Sequence, residues 1–394
     1  MSALTGILVV DLSRVLAGPF CGQLMADMGA QVIKVESPDG DENRQWPPIN
    51  PNGQSSNFAS VNRGKRSLTL NMKAPEAADI LARLVRKADV VLHSFLPNTA
   101  ARLGIDYEKF SKINPRLVFC SISGYGAEGP LRNKPGYDLM VQAFSGVMST
   151  TGFEGGPPIR TGVSFIDMAT GMSAYAAIMT ALVARQSTGK GDWVRASLLE
   201  TAVAILGYHG VSWLQGGVMP RREGSGVWHL VPYQAFRCQD GHLLAGATND
   251  AAWRRFCTAL GCEELASDTR FTTNQNRADN RDHLIPRLEQ IFATKTVEHW
   301  TAQLELNNVP VAPLQTIDRV MTHPQLLANA MVHTAQADDG SAVQLLGTPF
   351  KLVHGGGIAA QAAPKLGANT DAILRDVLDF STDEVRALRA REVV

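Results

Sequence analysis

Cysteine is scarce in this chain of 394 residues: there are five, an odd number, and none forms a C-x-x-C pair. Cys257 and Cys262 stand five apart with no histidine at a zinc-ligand spacing. The thiols of Cys21, Cys120, Cys238, Cys257 and Cys262 therefore read as reduced and mostly buried, in a cytoplasmic protein, and no metal site is indicated. An excess of one charge is lacking too. Lys plus Arg number 37 and Asp plus Glu number 37, for a formal net charge of zero. That balance argues against a nucleic-acid partner, which calls for a basic surplus. No apolar run reaches roughly 18 residues, so no membrane span is expected. The stretch Met1 to Gly6 lacks the charged-then-apolar pattern of a signal peptide. Three familiar motifs are missing as well. No G-x-G-x-x-G follows the first expected strand, no G-x-x-x-x-G-K-[ST] occurs, and G-x-S-x-G is absent. Dinucleotide binding, P-loop chemistry and the α/β-hydrolase arrangement lose their sequence support.

What is present is a large apolar fraction, 45% of the residues, in a regular alternation. Gly6 to Leu12 reads as a strand, Ala17 to Met28 as a helix with Pro19 in its first turn, and Gln31 to Glu36 as a strand. Ala77 to Lys87 (helix), Asp89 to His93 (strand), Tyr107 to Asn114 (helix) and Leu117 to Ile122 (strand) continue it. Alternation of this kind predicts an α/β fold, an open and mostly parallel Rossmann-like sheet with helices on both faces. Ligands of such sheets sit beyond the carboxyl ends of the strands. A long helix is expected over 198–214, and the character changes after it. The predicted division is a large α/β domain, residues 1–215 with 330–394, and a smaller α+β domain over 216–329.

One carboxylate stands out. Asp167 lies in Val163-Ser164-Phe165-Ile166-Asp167-Met168-Ala169-Thr170-Gly171-Met172, with no Lys or Arg within six residues. Burying a carboxylate without partners is costly. Val163 to Ile166 reads as a strand that delivers Asp167 to the start of a helix. There it serves either as an ordinary N-cap or as a nucleophile. Two further blocks carry polar chemistry. Asn62-Arg63-Gly64-Lys65-Arg66-Ser67 has three cations in four residues, a solvated turn or a phosphate clamp. Ser123 to Pro130 is a glycine-rich loop at a strand end, followed by Gly136-Tyr137-Asp138. Asp138 and Asp167 could meet in one crevice.

Taken in order, these blocks resemble class III coenzyme A transferases of the CaiB/BaiF type. The matching residues are Leu16-Ala17-Gly18-Pro19, Gln31 to Glu36, Asn62 to Ser67, Ser123 to Gly126, Gly136 to Asp138, Asp167 to Gly171 and Leu366 to Thr370. The resemblance runs from Gly6 to Val394. It implies that Asp167 is the catalytic nucleophile and that coenzyme A contacts Val15, Leu16, Arg63, Lys65, Arg66, Phe95 and Arg102. It also implies an interlocked homodimer, with the coenzyme A thioester as substrate and no permanently bound cofactor. The racemase branch of the family carries a His where this chain has Tyr137. A phenol of pKa about 10 is a poor base at neutral pH, so acyl transfer is favoured over racemisation. The oxalate-specific branch has a glutamine where Leu16 stands, and its tetraglycine lid is absent. The nearest branch is similar to the succinate–hydroxymethylglutarate transferases, which act on dicarboxylic acids. On this reading Tyr137, Asp138 and Leu16 contact substrate, and the amides of Gly224, Ser225 and Gly226 stabilise the oxyanion. Arg44, Arg160 or His229 would hold the acceptor's second carboxylate.

Overall fold

The computed structural model describes residues 2–50, 53–337, 339–357 and 359–394. They divide into two compact units. One comprises Met1–Gly146, Thr161–Gly210 and Pro324–Val394, the other Val147–Arg160 and Val211–His323.

The larger unit is built on a six-stranded sheet of β1 (Leu8–Leu12), β2 (Gln31–Glu36), β3 (Lys65–Thr69), β4 (Val90–His93), β5 (Val118–Ser123) and β6 (Trp193–Ser197). All neighbours pair parallel, in the order β3-β2-β1-β4-β5-β6. Alternation along β1 feeds two cores. Leu8, Val10 and Leu12 face one side, with Ile80, Leu81 and Leu84 of a helix over Ala77–Lys87 and with Ile373, Leu374 and Leu388 from the C-terminal segment. Val9 faces the other side, with α1 (Ala17–Asp27) and the longest helix, Phe165–Thr188. Every residue of α1 is buried, which accounts for its near-uniform small and apolar composition.

Two expectations are corrected here. Val163 to Ile166 forms no strand, because the helix already begins at Phe165. The single helix expected over 198–214 is two helices, Leu198–Ile205 and Tyr208–Gly216, separated at Gly207 with φ +52°. By length and composition Phe165–Thr188 could cross a membrane. In this fold its Ile166, Ala174, Ile178, Ala181 and Leu182 pack in the core beside α1 and the sheet. The glycine at 171 permits that approach, since a Cβ there would stand 2.6 Å from the Ala17 carbonyl oxygen.

The smaller unit holds an antiparallel sheet of β7 (Tyr233–Arg237), β8 (His242–Gly246) and β9 (Val311–Pro313). Helices Asp250–Leu260, Arg281–Phe292 and Val297–Leu306 close its core around Trp253, Phe256, Phe292 and Trp300. All five cysteines are free and buried.

Candidate active site

Strand order reverses between β1 and β4, and a crevice opens beyond the carboxyl ends at such a switch point. A cavity of about 270 Å³ lies there. Its walls are Arg14 to Gly18 after β1, Ser94 to Leu96 after β4, Ser123 and Gly124 at the end of β5, and Gly136, Tyr137 and Asp167. Gly124 and Gly136 touch: a Cβ on Gly124 would stand 2.6 Å from the Gly136 Cα. The glycine pair therefore lets the Gly136-Tyr137-Asp138 turn lie directly against the end of β5.

The segment after β1 is held in a strained form. Val15 has φ +69°, an unusual conformation for a β-branched residue. Its N–H donates to the Asp41 carboxylate at 3.2 Å, and its carbonyl accepts from Asn43 Nδ2 at 2.6 Å. The Arg14 N–H donates to Ser94 Oγ at 3.0 Å, tying the β1 and β4 loops together. Phe95 is set by its own N–H, which donates to His93 Nδ1 at 3.2 Å. Burial pushes His93 down to about 4, so the ring is neutral and can accept at Nδ1.

The two aspartates do meet, and the capping role falls to Asp138 rather than to Asp167. Asp138 is the capping residue. Its Oδ2 accepts from the N–H groups of Ile166 (2.9 Å) and Asp167 (3.1 Å), in the first turn of the long helix. Gln142 donates to Asp138 Oδ1 at 2.5 Å and accepts from the Thr161 N–H at 3.0 Å, fixing the approach to that helix. Asp167 is therefore not the N-cap. It is the third residue of the helix, and no hydrogen bond among the described residues ends on its carboxylate. The amides of Ile166 and Asp167 are taken by Asp138 and do not hold the Asp167 carboxylate ionised. Burial, followed by repulsion from Asp138, raises it to about 7. A carboxylate so placed is poorly solvated, which strengthens it as a base and nucleophile once ionised.

Val15, Leu16, Phe95, Tyr137 and Asp167 are thus brought to one cavity, with Asp138 behind Asp167. Arg102 is exposed at the last turn of the helix Pro97–Arg102, whose Thr99 lines the same cavity. The cationic run behaves differently. Arg63 is buried and makes a two-point ion pair with Asp27 (2.8 and 2.5 Å), with a third bond to the Leu346 carbonyl. Lys65 is buried with its three N–H groups directed to Asp11 (2.8 Å), the Pro19 carbonyl (2.7 Å) and Asn62 Oδ1 (2.8 Å). The phosphate-clamp reading is corrected for both, since each cation is buried and its charge is already paired with an aspartate. Arg66, the next residue of β3, is half-buried. Arg44 is corrected as well. It grips Glu36 at two points, both 2.7 Å, and stacks over Phe58 at 3.7 Å.

The glycine loop belongs to the smaller unit. Gly224 donates to the Gly152 carbonyl at 2.8 Å and Gly226 to the Glu223 carbonyl at 3.0 Å. Two of the three amides expected to serve an oxyanion are therefore engaged inside that unit. Ser225 Oγ accepts from the Ala235 N–H, and Arg281 holds Glu223 at 3.0 Å. His229 lies in the same unit, with its carbonyl accepting from Asn274, and Arg160 is exposed there. Sequence reasoning missed Arg14, Ser94 and Gln142. Only Arg14 carried a signal, as the neighbour of Val15-Leu16.

Comparisons with known proteins bear on this geometry. The profile of CoA-transferase family III matches residues 4–370. An acyl-CoA transferase of Fusarium pseudograminearum is 40% identical, over 95% of this chain and 85% of its own length. A succinyl-CoA:glutarate CoA-transferase of Mus musculus is 36% identical, over 100% of this chain and 91% of its own. The crystal structure of a CaiB/BaiF family protein from Brucella suis superposes with a TM-score of 0.87 at 37% identity, covering 96% of this chain and 100% of that one.

Proposed function

We propose that this chain, which belongs to CoA-transferase family III, moves coenzyme A from succinyl-CoA to a small dicarboxylic acid through covalent intermediates on Asp167. The observation that carries the reading is the placement of Asp167. It lines the switch-point cavity, its carboxylate accepts no hydrogen bond from the described residues, and its backbone is pinned by Asp138. The similarity to the Mus musculus succinyl-CoA:glutarate CoA-transferase supports the choice of donor and acceptor class.

The steps balance without an external reagent. The ionised Asp167 carboxylate attacks the thioester carbonyl; a C–O bond forms, the C–S bond breaks, and an acyl-aspartyl anhydride and coenzyme A thiolate result. The thiolate attacks the aspartyl carbonyl, giving an aspartyl thioester and releasing the donor acid. The acceptor carboxylate attacks that thioester, forming a second anhydride and freeing the thiolate. Attack of the thiolate on the acceptor carbonyl yields the new acyl-CoA and restores Asp167. One thioester replaces another, so the sequence is near thermoneutral and needs neither ATP nor a metal. Water must be kept from the anhydride, which a narrow cavity walled by Val15, Leu16, Phe95 and Leu198 favours. A cytoplasmic homodimer belongs to the same proposal. The free cysteines suit a reducing compartment. Exposed Val183 and Val203 on the long helix and its successor suit a partner surface.

The test is a steady-state assay with succinyl-CoA and a panel of glutarate, malate, citramalate, mesaconate, itaconate and oxalate. Double-displacement kinetics with at least one dicarboxylate, and their loss in Asp167→Ala, is the expected result. Turnover that survives Asp167→Ala, or deuterium exchange at the α-carbon of a 2-methylacyl-CoA without transfer, overturns the reading.

A further inference from the structure

Resting on the transferase reading above, we propose that Arg14 binds the free carboxylate of the dicarboxylic acyl group and so selects dicarboxylates over monocarboxylates. Among the described residues that line the Asp167 cavity, Arg14 is the one cation, while Glu42 and Asp167 are acids. Asp138 adds a further negative charge just behind. A second carboxylate entering this space meets like charge from these groups and loses part of its hydration, a cost that needs a cationic partner. Arg44, the candidate that the sequence offered for this task in this unit, is engaged with Glu36, and the buried Arg63 and Lys65 are paired with Asp27 and Asp11.

Arg14 is placed to serve. Its side chain is half-exposed and makes a loose ion pair, 3.5 Å, with Glu42. An exposed pair of that length contributes little, so exchanging Glu42 for a substrate carboxylate costs little. A guanidinium matches a carboxylate at two points, which gives geometric as well as charge selection. Its backbone does not drift. The N–H is bonded to Ser94, and the next residue, Val15, is locked at φ +69° by Asp41 and Asn43. Strain held at this point aims the Arg14 side chain from a rigid base. The remaining walls, Leu16, Phe95, Leu96, Ile122 and Leu198, suit the methylenes between the two carboxyl groups.

Arg14 also borders a smaller cavity of about 140 Å³, with Lys34, Ser37 and Met72. An anion there could equally be a phosphate of coenzyme A, so the experiment separates the two sources. Compare wild type, Arg14→Gln and Arg14→Lys with succinyl-CoA plus glutarate, with butyryl-CoA plus acetate, and by direct titration with coenzyme A. The expected result is a kcat/KM for the dicarboxylate pair that falls about 10- to 100-fold further in Arg14→Gln than the value for the monocarboxylate pair. Arg14→Lys should restore part of it, and the dissociation constant of coenzyme A should move less than threefold. Equal losses on both pairs, or a matching loss of coenzyme A affinity, overturn the proposal and assign Arg14 to the coenzyme. A wild-type enzyme active on monocarboxylates alone also overturns it, whereas a wild type with no transfer at all overturns the transferase reading itself.

Discussion

Replacing Asp167 by asparagine should stabilise the protein at alkaline pH while abolishing transfer. Burial and the nearby Asp138 raise the Asp167 carboxyl from 3.8 to about 7. The folded state therefore prefers the protonated form. The stabilising contribution of that proton is complete below about 3.8 and is lost as pH rises through about 7. Above about 7 the folded protein carries an ionised carboxylate that the unfolded chain would solvate better. A rise of this size corresponds to about 4 kcal/mol as a ceiling, and solvent reaching the cavity reduces it to about 2 kcal/mol. Asparagine is isosteric and neutral at every pH. It also leaves the Ile166 and Asp167 backbone donors to Asp138 untouched. Urea unfolding of wild type and Asp167→Asn at pH 8 and pH 4 measures the effect. The variant should be more stable by about 2 kcal/mol at pH 8, with the difference nearly gone at pH 4. Equal stability at pH 8, or a variant less stable there, would refute the claim that Asp167 is a strained, poorly solvated carboxylate.

Other outcomes follow from the same geometry. Since Asp167 must be ionised to attack, kcat/KM should fall about tenfold per pH unit below about 7 and level off above it. Asp138→Asn removes the like charge and should move that limb to lower pH. Asp138→Ala also removes the cap on Ile166 and Asp167 and should cost about 0.5–2 kcal/mol in thermal unfolding. Lys65→Met leaves Asp11 buried without its partner and should destabilise by about 3–5 kcal/mol, an effect visible without any coenzyme A present. A purely weakened coenzyme A affinity in a fully stable Lys65→Met would argue for the clamp reading instead. Gly171→Ala forces a Cβ against the Ala17 carbonyl and should displace the helix start, lowering both stability and kcat.

Periodicity made much of the larger unit readable. The helix Ala77–Lys87 and the strand Gln31–Glu36 have the bounds that spacing indicates. The parallel sheet follows from alternation of strands and helices. Its strand order, and with it the switch point that makes the cavity, depends on pairings between distant segments that local pattern does not encode. The same limit explains the misread charges. Arg63 and Lys65 look solvated beside their neighbours, but Asp27 and Asp11 lie 36 and 54 positions away. Asp167 was legible as a carboxylate out of place. Its cap was not, because the capping group sits 29 positions earlier and takes the amides that Asp167 was expected to use. Val15 gave no local sign of positive φ either, since nothing in a valine side chain favours it; Asp41 and Asn43 impose it from outside.

The central claim is that Asp167 carries the transferred group. Incubating the protein with succinyl-CoA, quenching with hydroxylamine and sequencing the peptides by mass spectrometry tests it directly. The account predicts a hydroxamate on Asp167, dependent on the thioester and absent when free succinate replaces it. Modification at another carboxylate, or an unmodified Asp167 in an enzyme that is turning over, would contradict it.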